Sequence, residues 1–154
     1  MIPVTPTDAW KVAHPEAIIG LLELSSVDNS SPTPALDPCK REIETRLRRD
    51  YAGFGRKEFL ALPVMAAYDR YYRSFEKTYH VLLQVESIVL KGKSLPVVSP
   101  LVDANFMAEV SSFVLTAGHD ADRLVEPVSI DAAQADDEMT AMGGAVKSMR
   151  AGDM

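Results

Sequence analysis

Glu86 is a carboxylate in apolar company. In a helix from Thr78 to Gly92 its neighbours one turn away are Leu82, Leu83, Val89 and Leu90. A charge buried there must find a partner or titrate away from its ordinary range. Two readings follow. Glu86 is a margin residue whose head reaches water or a backbone N–H, or it is a carboxylate lining a pocket. His119 is the second candidate, in the turn Gly118-His119-Asp120 after a helix. It is either a capping histidine near a helix C-terminus or an imidazole at a pocket mouth, able to orient a water or a hydroxyl. His80, Gln84, Ser87 and Lys91 share one stripe of the Glu86 helix, its expected wet face.

The elements that must position these groups are two helices joined by a Pro-containing link. Thr78 reads as the N-cap of the first and Gly92 as its stop. Ser99 and Pro100 form the N-cap and N1 pair of the second, which is expected to end before Gly118. Upstream, Asp37-Pro38 reads as another N-cap and N1 pair. Ile43, Leu47 and Tyr51 give that helix its buried stripe, and Gly53 and Gly55 end it. A further helix is expected from Leu62 or Pro63 to about Phe75. Residues 1–14 read as an irregular lead, residues 17–24 (AIIGLLEL) as a buried strand, with Ala and Leu leaving a helix open, and residues 25–35 as a loop. Residues 126–132 and 136–142 read as strands, and there are no internal repeats.

The length of 154 residues fits one domain, residues 1–154, with a sizeable core. No apolar run is long enough to span a bilayer, and the first residues, MIPVTPTDAWK, lack the pattern of a signal peptide. No membrane association is expected. One cysteine, Cys39, permits no intrachain disulfide and no Cys-based zinc site, and a reducing cytoplasm is the natural location. The three histidines, His14, His80 and His119, lack metal-ligand spacing, so no metal and no cofactor is expected. The Walker loop, G-x-G-x-x-G and G-x-S-x-G are all missing.

The net charge of −6 argues against indiscriminate nucleic-acid binding, but the charge is uneven. Residues 37–77 hold ten basic and seven acidic residues, whereas residues 102–154 hold three basic and ten acidic. Lys40, Arg41, Arg46, Arg48, Arg49, Arg56 and Lys57 make up most of the basic cluster. Singly they read as a solvated helix face with partners such as Glu42–Arg46 and Glu44–Arg48; together they could guide a polyanion. Tyr68, Tyr71 and Tyr72, interleaved with arginines, read as packing residues with wet hydroxyls or as stacking platforms for bases.

Several segments in fixed order carry a resemblance. They are Val27-Asp28-Asn29 after the first strand, the basic helix, Leu62 to Tyr68 (LPVMAAY), Leu90 to Pro96 (LKGKSLP), and Pro100-Leu101-Val102-Asp103 with Asn105. The chain resembles the B3/B4 domain of the bacterial phenylalanyl-tRNA synthetase beta subunit, in its free-standing form, over roughly residues 15–150. The resemblance implies an α+β fold with a sheet-rich core and about four helices packed against it. It also implies further strands after Ala151 to Asp153, so a C-terminally truncated domain is expected, whose open sheet a second copy could close as a homo-oligomer.

The implied activity is hydrolysis of the ester of a mischarged tRNA. His119 carries over as the editing-site histidine and Asn105 as the asparagine of the preceding helix, with Glu86 as the third catalytic candidate. Gln84, His80 and Asn29 are the substrate-binding candidates, Gln84 or Glu86 reading an ammonium or a hydroxyl. Lys40, Arg41, Arg48 and Arg49 would meet the tRNA backbone. An aminoacyl ester is labile, so such a site need only position water and stabilise an oxyanion. The other readings are a non-catalytic module that binds tRNA or a protein, and a small-molecule pocket protein supported only by Glu86 on its apolar face.

Overall fold

A computed structural model describes residues 2–141 and 143–153. The chain runs β1 (Val4–Pro6), α1 (Asp8–Ala13), a 3₁₀ turn (Pro34–Leu36), α2 (Asp37–Asp50), α3 (Arg56–Leu60), α4 (Pro63–Ser74), α5 (His80–Val89) and α6 (Pro100–Ser112). A second 3₁₀ turn (Ala121–Arg123) precedes β2 (Val128–Ile130), β3 (Glu138–Thr140) and β4 (Val146–Ser148). The chain divides into two compact units, one spanning Ser26–Gly118 and the other built from the residues up to Ser25 and from His119 onward.

The fold is α+β, but its core is not sheet-rich. Among the described residues the strands are three residues long and lie in two separate two-stranded sheets, and α-helices number six rather than about four. The core of the Ser26–Gly118 unit is made by helices. α2 packs on α5 and α6, and α5 on α6. Phe59, Met65, Tyr79, Val81, Val85 and Val110 are fully buried, with Leu47, Leu82 and Ile88 beside them. Each such aliphatic side chain contributes about 1.5–3 kcal/mol by leaving water. Tyr68 stacks on Tyr79 at 4.3 Å and Tyr72 leans on the same ring at 5.1 Å, so these tyrosines are packing residues.

The helix boundaries show where tertiary bonds outrank local signals. α5 starts at His80, two residues past Thr78, because Tyr79 is buried and its hydroxyl donates to Phe113 O at 3.0 Å. α6 stops at Ser112, before Gly118 as expected but six residues short of it. Phe113 turns left-handed (φ 61°), its N–H bonds Glu109 O, and the next amides find side chains. Leu115 N–H donates to the Tyr68 hydroxyl (3.2 Å) and Thr116 N–H to Glu109 Oε1 (3.1 Å). At the other end of α6 Ser99 has the extended backbone of an N-cap, but the free Leu101 N–H is taken by Asn29 Oδ1 at 2.9 Å. Pro38 and Pro63 sit in the first turns of α2 and α4, where no N–H is missed. In α2 the 3₁₀ turn runs straight into the helix, so Asp37 is its first residue and Leu36 its cap. The short helix α3 lies where only a glycine-bounded end was expected.

In the other unit, β1 pairs in parallel with β2, Val4 opposite Val128, and β3 pairs antiparallel with β4. The expected strand 126–132 is thus present as β2. The strand expected over 136–142 is β3, except that Met142 lies outside the described residues. The irregular lead is in fact β1 followed by α1, which Thr7 caps by accepting from Trp10 N–H. The run 17–24 is not a buried strand: Ile18 is 94% and Leu22 83% exposed. Apolar composition supplied the strand expectation, but a strand also needs a paired neighbour, and none runs beside it among the described residues.

Candidate functional site

Four carboxylates are buried in the Ser26–Gly118 unit: Glu44, Glu86, Asp103 and Glu109. A buried charge needs a cation and hydrogen bonds. Three of the four have both. Asp103, in the first turn of α6, holds the buried Lys40 ammonium and accepts from Val98 N–H at 2.9 Å, while Lys40 Nζ also donates to Pro96 O at 2.9 Å. Burial pushes the Asp103 carboxyl up, but the Lys40 and backbone hydrogen bonds together hold it below its ordinary range. Glu44 accepts from Leu95 N–H at 2.8 Å and lies 3.6 Å from Arg48, whose guanidinium donates to Ile88 O and Lys93 O. The run Leu90 to Pro96 is therefore tied to α2 by Lys40, Glu44 and Arg48.

Glu86 is an ion-pair residue. Arg56, from α3, meets it with two parallel bonds of 2.6 and 2.5 Å, and the hydrogen bond from Arg56 is the main cause that holds its carboxyl below the ordinary range. It neither lies free at the margin of its helix nor lines a pocket as an unpaired base.

Glu109, in the last turn of α6, is different. Its carboxylate is 4% exposed, yet its hydrogen-bond donors are neutral: Thr116 N–H at 3.1 Å and Gln84 Nε2 at 3.2 Å. The nearest group able to carry positive charge is His80 Nε2, 3.7 Å away and half exposed. Gln84 Oε1 and Thr116 Oγ1 are buried without a hydrogen-bond partner among the described residues, each at a cost of about 1–3 kcal/mol. Two of the sequence candidates, His80 and Gln84, thus converge on a third residue that sequence reasoning did not single out.

The other candidates lie apart. Asn105 packs its side chain where Gly118 leaves room: a Cβ at 118 would stand 2.8 Å from Asn105 Nδ2. His119 is exposed and belongs to the other unit from Glu86 and Asn105. The turn around it is built by Asp120, which accepts from Asp122 N–H. Asn29 caps α6. Of the four basic candidates on α2, Lys40 and Arg48 are consumed by internal bonds, and Arg41 and Arg49 face solvent. With Thr45 and Arg46, one turn along, they border an open groove that Glu42 also lines. Arg49 is held by Asp50 at 2.7 Å and Arg46 by Ser111 at 3.2 Å, whereas Arg41 has no acidic partner within 4 Å among the described residues.

Among the described residues no three His, Cys, Asp or Glu side chains are grouped as a metal site, and no helix is long and apolar enough to cross a membrane. No family model matches the chain, no curated protein matches it, and no solved structure matches it.

Proposed function

We propose that the chain is a tRNA-binding module of the B3/B4 editing-domain type, in which the exposed face of α2 meets the RNA backbone. The observation that carries this is the Arg41, Arg46 and Arg49 groove: three guanidiniums on one helix face, in a protein whose total charge is −6. Local concentration of arginine against a net acidic background fits a defined phosphate-binding face better than indiscriminate attraction. Guanidinium forks suit phosphate oxygens. A cytoplasmic location belongs to the same reading.

The test is the salt dependence of tRNA binding by fluorescence anisotropy. Each arginine that neutralises a phosphate adds about 0.7–0.9 to the slope of log K against log salt. The double variant Arg41→Ala, Arg49→Ala lowers the slope by about 1.5 if both contact phosphate. A slope unchanged in that variant, or no tRNA binding by the parent chain, removes the reading.

Hydrolysis of a mischarged ester in trans is the second reading. Its support is the sequence resemblance at residues 116–120, where His119 stands at the position of the editing-site histidine. In that reading His119 orients water or a ribose hydroxyl. Deacylation of a panel of mischarged tRNAs that is insensitive to His119→Ala removes the histidine from the reaction, and absence of deacylation leaves the binding module.

A further inference from the structure

We propose that Glu109, Gln84 and Thr116 form a binding site for a primary ammonium group, covered by the His80 imidazole. The argument starts from what is missing. Glu44, Glu86 and Asp103 each have a lysine or arginine partner, and Glu109 has none among the described residues. The atoms left without partners beside it are Gln84 Oε1, a pure acceptor, and Thr116 Oγ1, a hydroxyl that can accept. The cluster is rich in acceptors and its two donors are already spent on the carboxylate. An ammonium is the complement of such a cluster, because it carries three N–H donors, a full positive charge and no acceptor. The molecule builds the same kind of site for its own use: the Lys40 ammonium is held by the Asp103 carboxylate and the Pro96 carbonyl.

Access is through His80. It is the first residue of α5, it is 47% exposed, and its Nε2 stands 3.7 Å from Glu109 Oε1, too long for a hydrogen bond. In this proposal the half-exposed imidazole swings aside to admit the ligand. The partly exposed ring of Tyr72 stands 6.1 Å from the imidazole and offers an aromatic wall to a carbon substituent on the amine. The N-terminus of α5 adds about half a positive charge, which the Glu109 carboxylate faces as an acceptor. The ligand class is therefore a small primary amine, the α-amino group of an amino acid included. Quaternary ammonium ions have no N–H donor and fit poorly. This inference stands independently of RNA binding.

The experiment is an NMR titration of the full chain with methylammonium and, separately, with tetramethylammonium, following the His80 ring and Gln84 side-chain amide signals. The expected result is a saturable shift of both signals with methylammonium and none with tetramethylammonium. Glu109→Gln weakens the response about tenfold or more, as loss of a charged hydrogen-bond acceptor requires, while Glu138→Gln, at an exposed carboxylate of the other unit, leaves it unchanged. His80→Ala, which removes the cover and not the acceptors, tightens binding. It also decides the matter if Glu109→Gln does not fold. Equal response to the two ions, no saturable response to methylammonium, or weaker binding in His80→Ala overturns the proposal.

Discussion

The two ends of α6 hold the two most instructive carboxylates of the molecule. Asp103, in the first turn, is 1% exposed and closed by the Lys40 ammonium, the Val98 N–H and its own backbone bond to Ser99. Glu109, in the last turn, is as deeply buried but has only two neutral donors and a distant imidazole. The first is a finished structural device: with Glu44 and Arg48 it fastens residues 90–96 to α2. The second is a buried carboxylate with no lysine or arginine partner among the described residues. Burial alone does not separate structural from functional carboxylates; the inventory of partners around each does.

Breaking the finished end gives the largest expected effect. Lys40→Met strands Asp103 as an uncompensated buried charge and costs about 3–5 kcal/mol, measured by urea unfolding near neutral pH. A loss below about 1 kcal/mol would mean that water reaches Asp103 and the pair is not closed. The Arg56–Glu86 pair gives a smaller effect, because Arg56 is half exposed and its bonds are screened by solvent. Arg56→Ala costs about 1–2 kcal/mol, most of it from leaving the buried Glu86 with no guanidinium.

These pairs also set the acid limb of stability. The carboxyls of Asp103 and Glu86 sit below their ordinary values of 3.8 and 4.5 in the folded chain. Within that window the unfolded chain binds more protons, so their stabilisation is present above the ordinary values and is lost as pH falls through the folded ones. Unfolding followed from pH 6 downward is expected to show a steep loss beginning near pH 4, and Lys40→Met is expected to flatten it. An acid limb of unchanged steepness in that variant would detach Asp103 from the transition.

The smallest effects are at the margins. Tyr79→Phe removes the hydroxyl that takes Phe113 O and costs about 1 kcal/mol, read by the same unfolding measurement. Gly118→Ala brings a methyl to 2.8 Å from Asn105 Nδ2, the far end of a side chain that can swing away. The backbone there needs no left-handed conformation, so the change stays within about 1 kcal/mol of neutral while the Asn105 side-chain NMR signals shift. A loss of several kcal/mol would show that Asn105 is held rigidly.

The helices α2, α4, α5 and α6 were legible because proline and apolar spacing are local signals. Pro38, Pro63 and Pro100 all stand in first turns as their positions in the chain suggest. The end of α6 was not legible, since it is set by Tyr68, Tyr79 and Thr116, which are remote from it or lie past it in the chain. Glu86 was correctly read as lying on an apolar face, but its partner Arg56 lies 30 residues upstream and no local pattern announces it. Glu109 carried the same signal as Glu86 and was overlooked: Val102, Phe106, Glu109 and Phe113 form one helical stripe, with a single carboxylate among apolar side chains. Half of the basic face on α2 was misassigned for a similar reason. Lys40 and Arg48 differ from Arg41 and Arg49 only in which side of the helix meets α5 and α6. The sheet-rich core came from the resemblance and not from the residues, and the short strands and exposed run 17–24 do not bear it.

The most direct test of the contrast between the ends of α6 is a pair of amide substitutions, Asp103→Asn and Glu109→Gln, compared by urea unfolding at pH 7. Asp103→Asn leaves the Lys40 ammonium buried without its counter-charge and is predicted to cost about 3 kcal/mol or more. Glu109→Gln removes a buried charge that has no lysine or arginine to lose. The new amide can still accept from Thr116 N–H, and its NH₂ can donate to Gln84 Oε1 once that amide flips. Its predicted effect lies between neutral and a gain of about 1 kcal/mol. Equal, large losses from both substitutions would contradict the claim that one carboxylate is closed and the other is not.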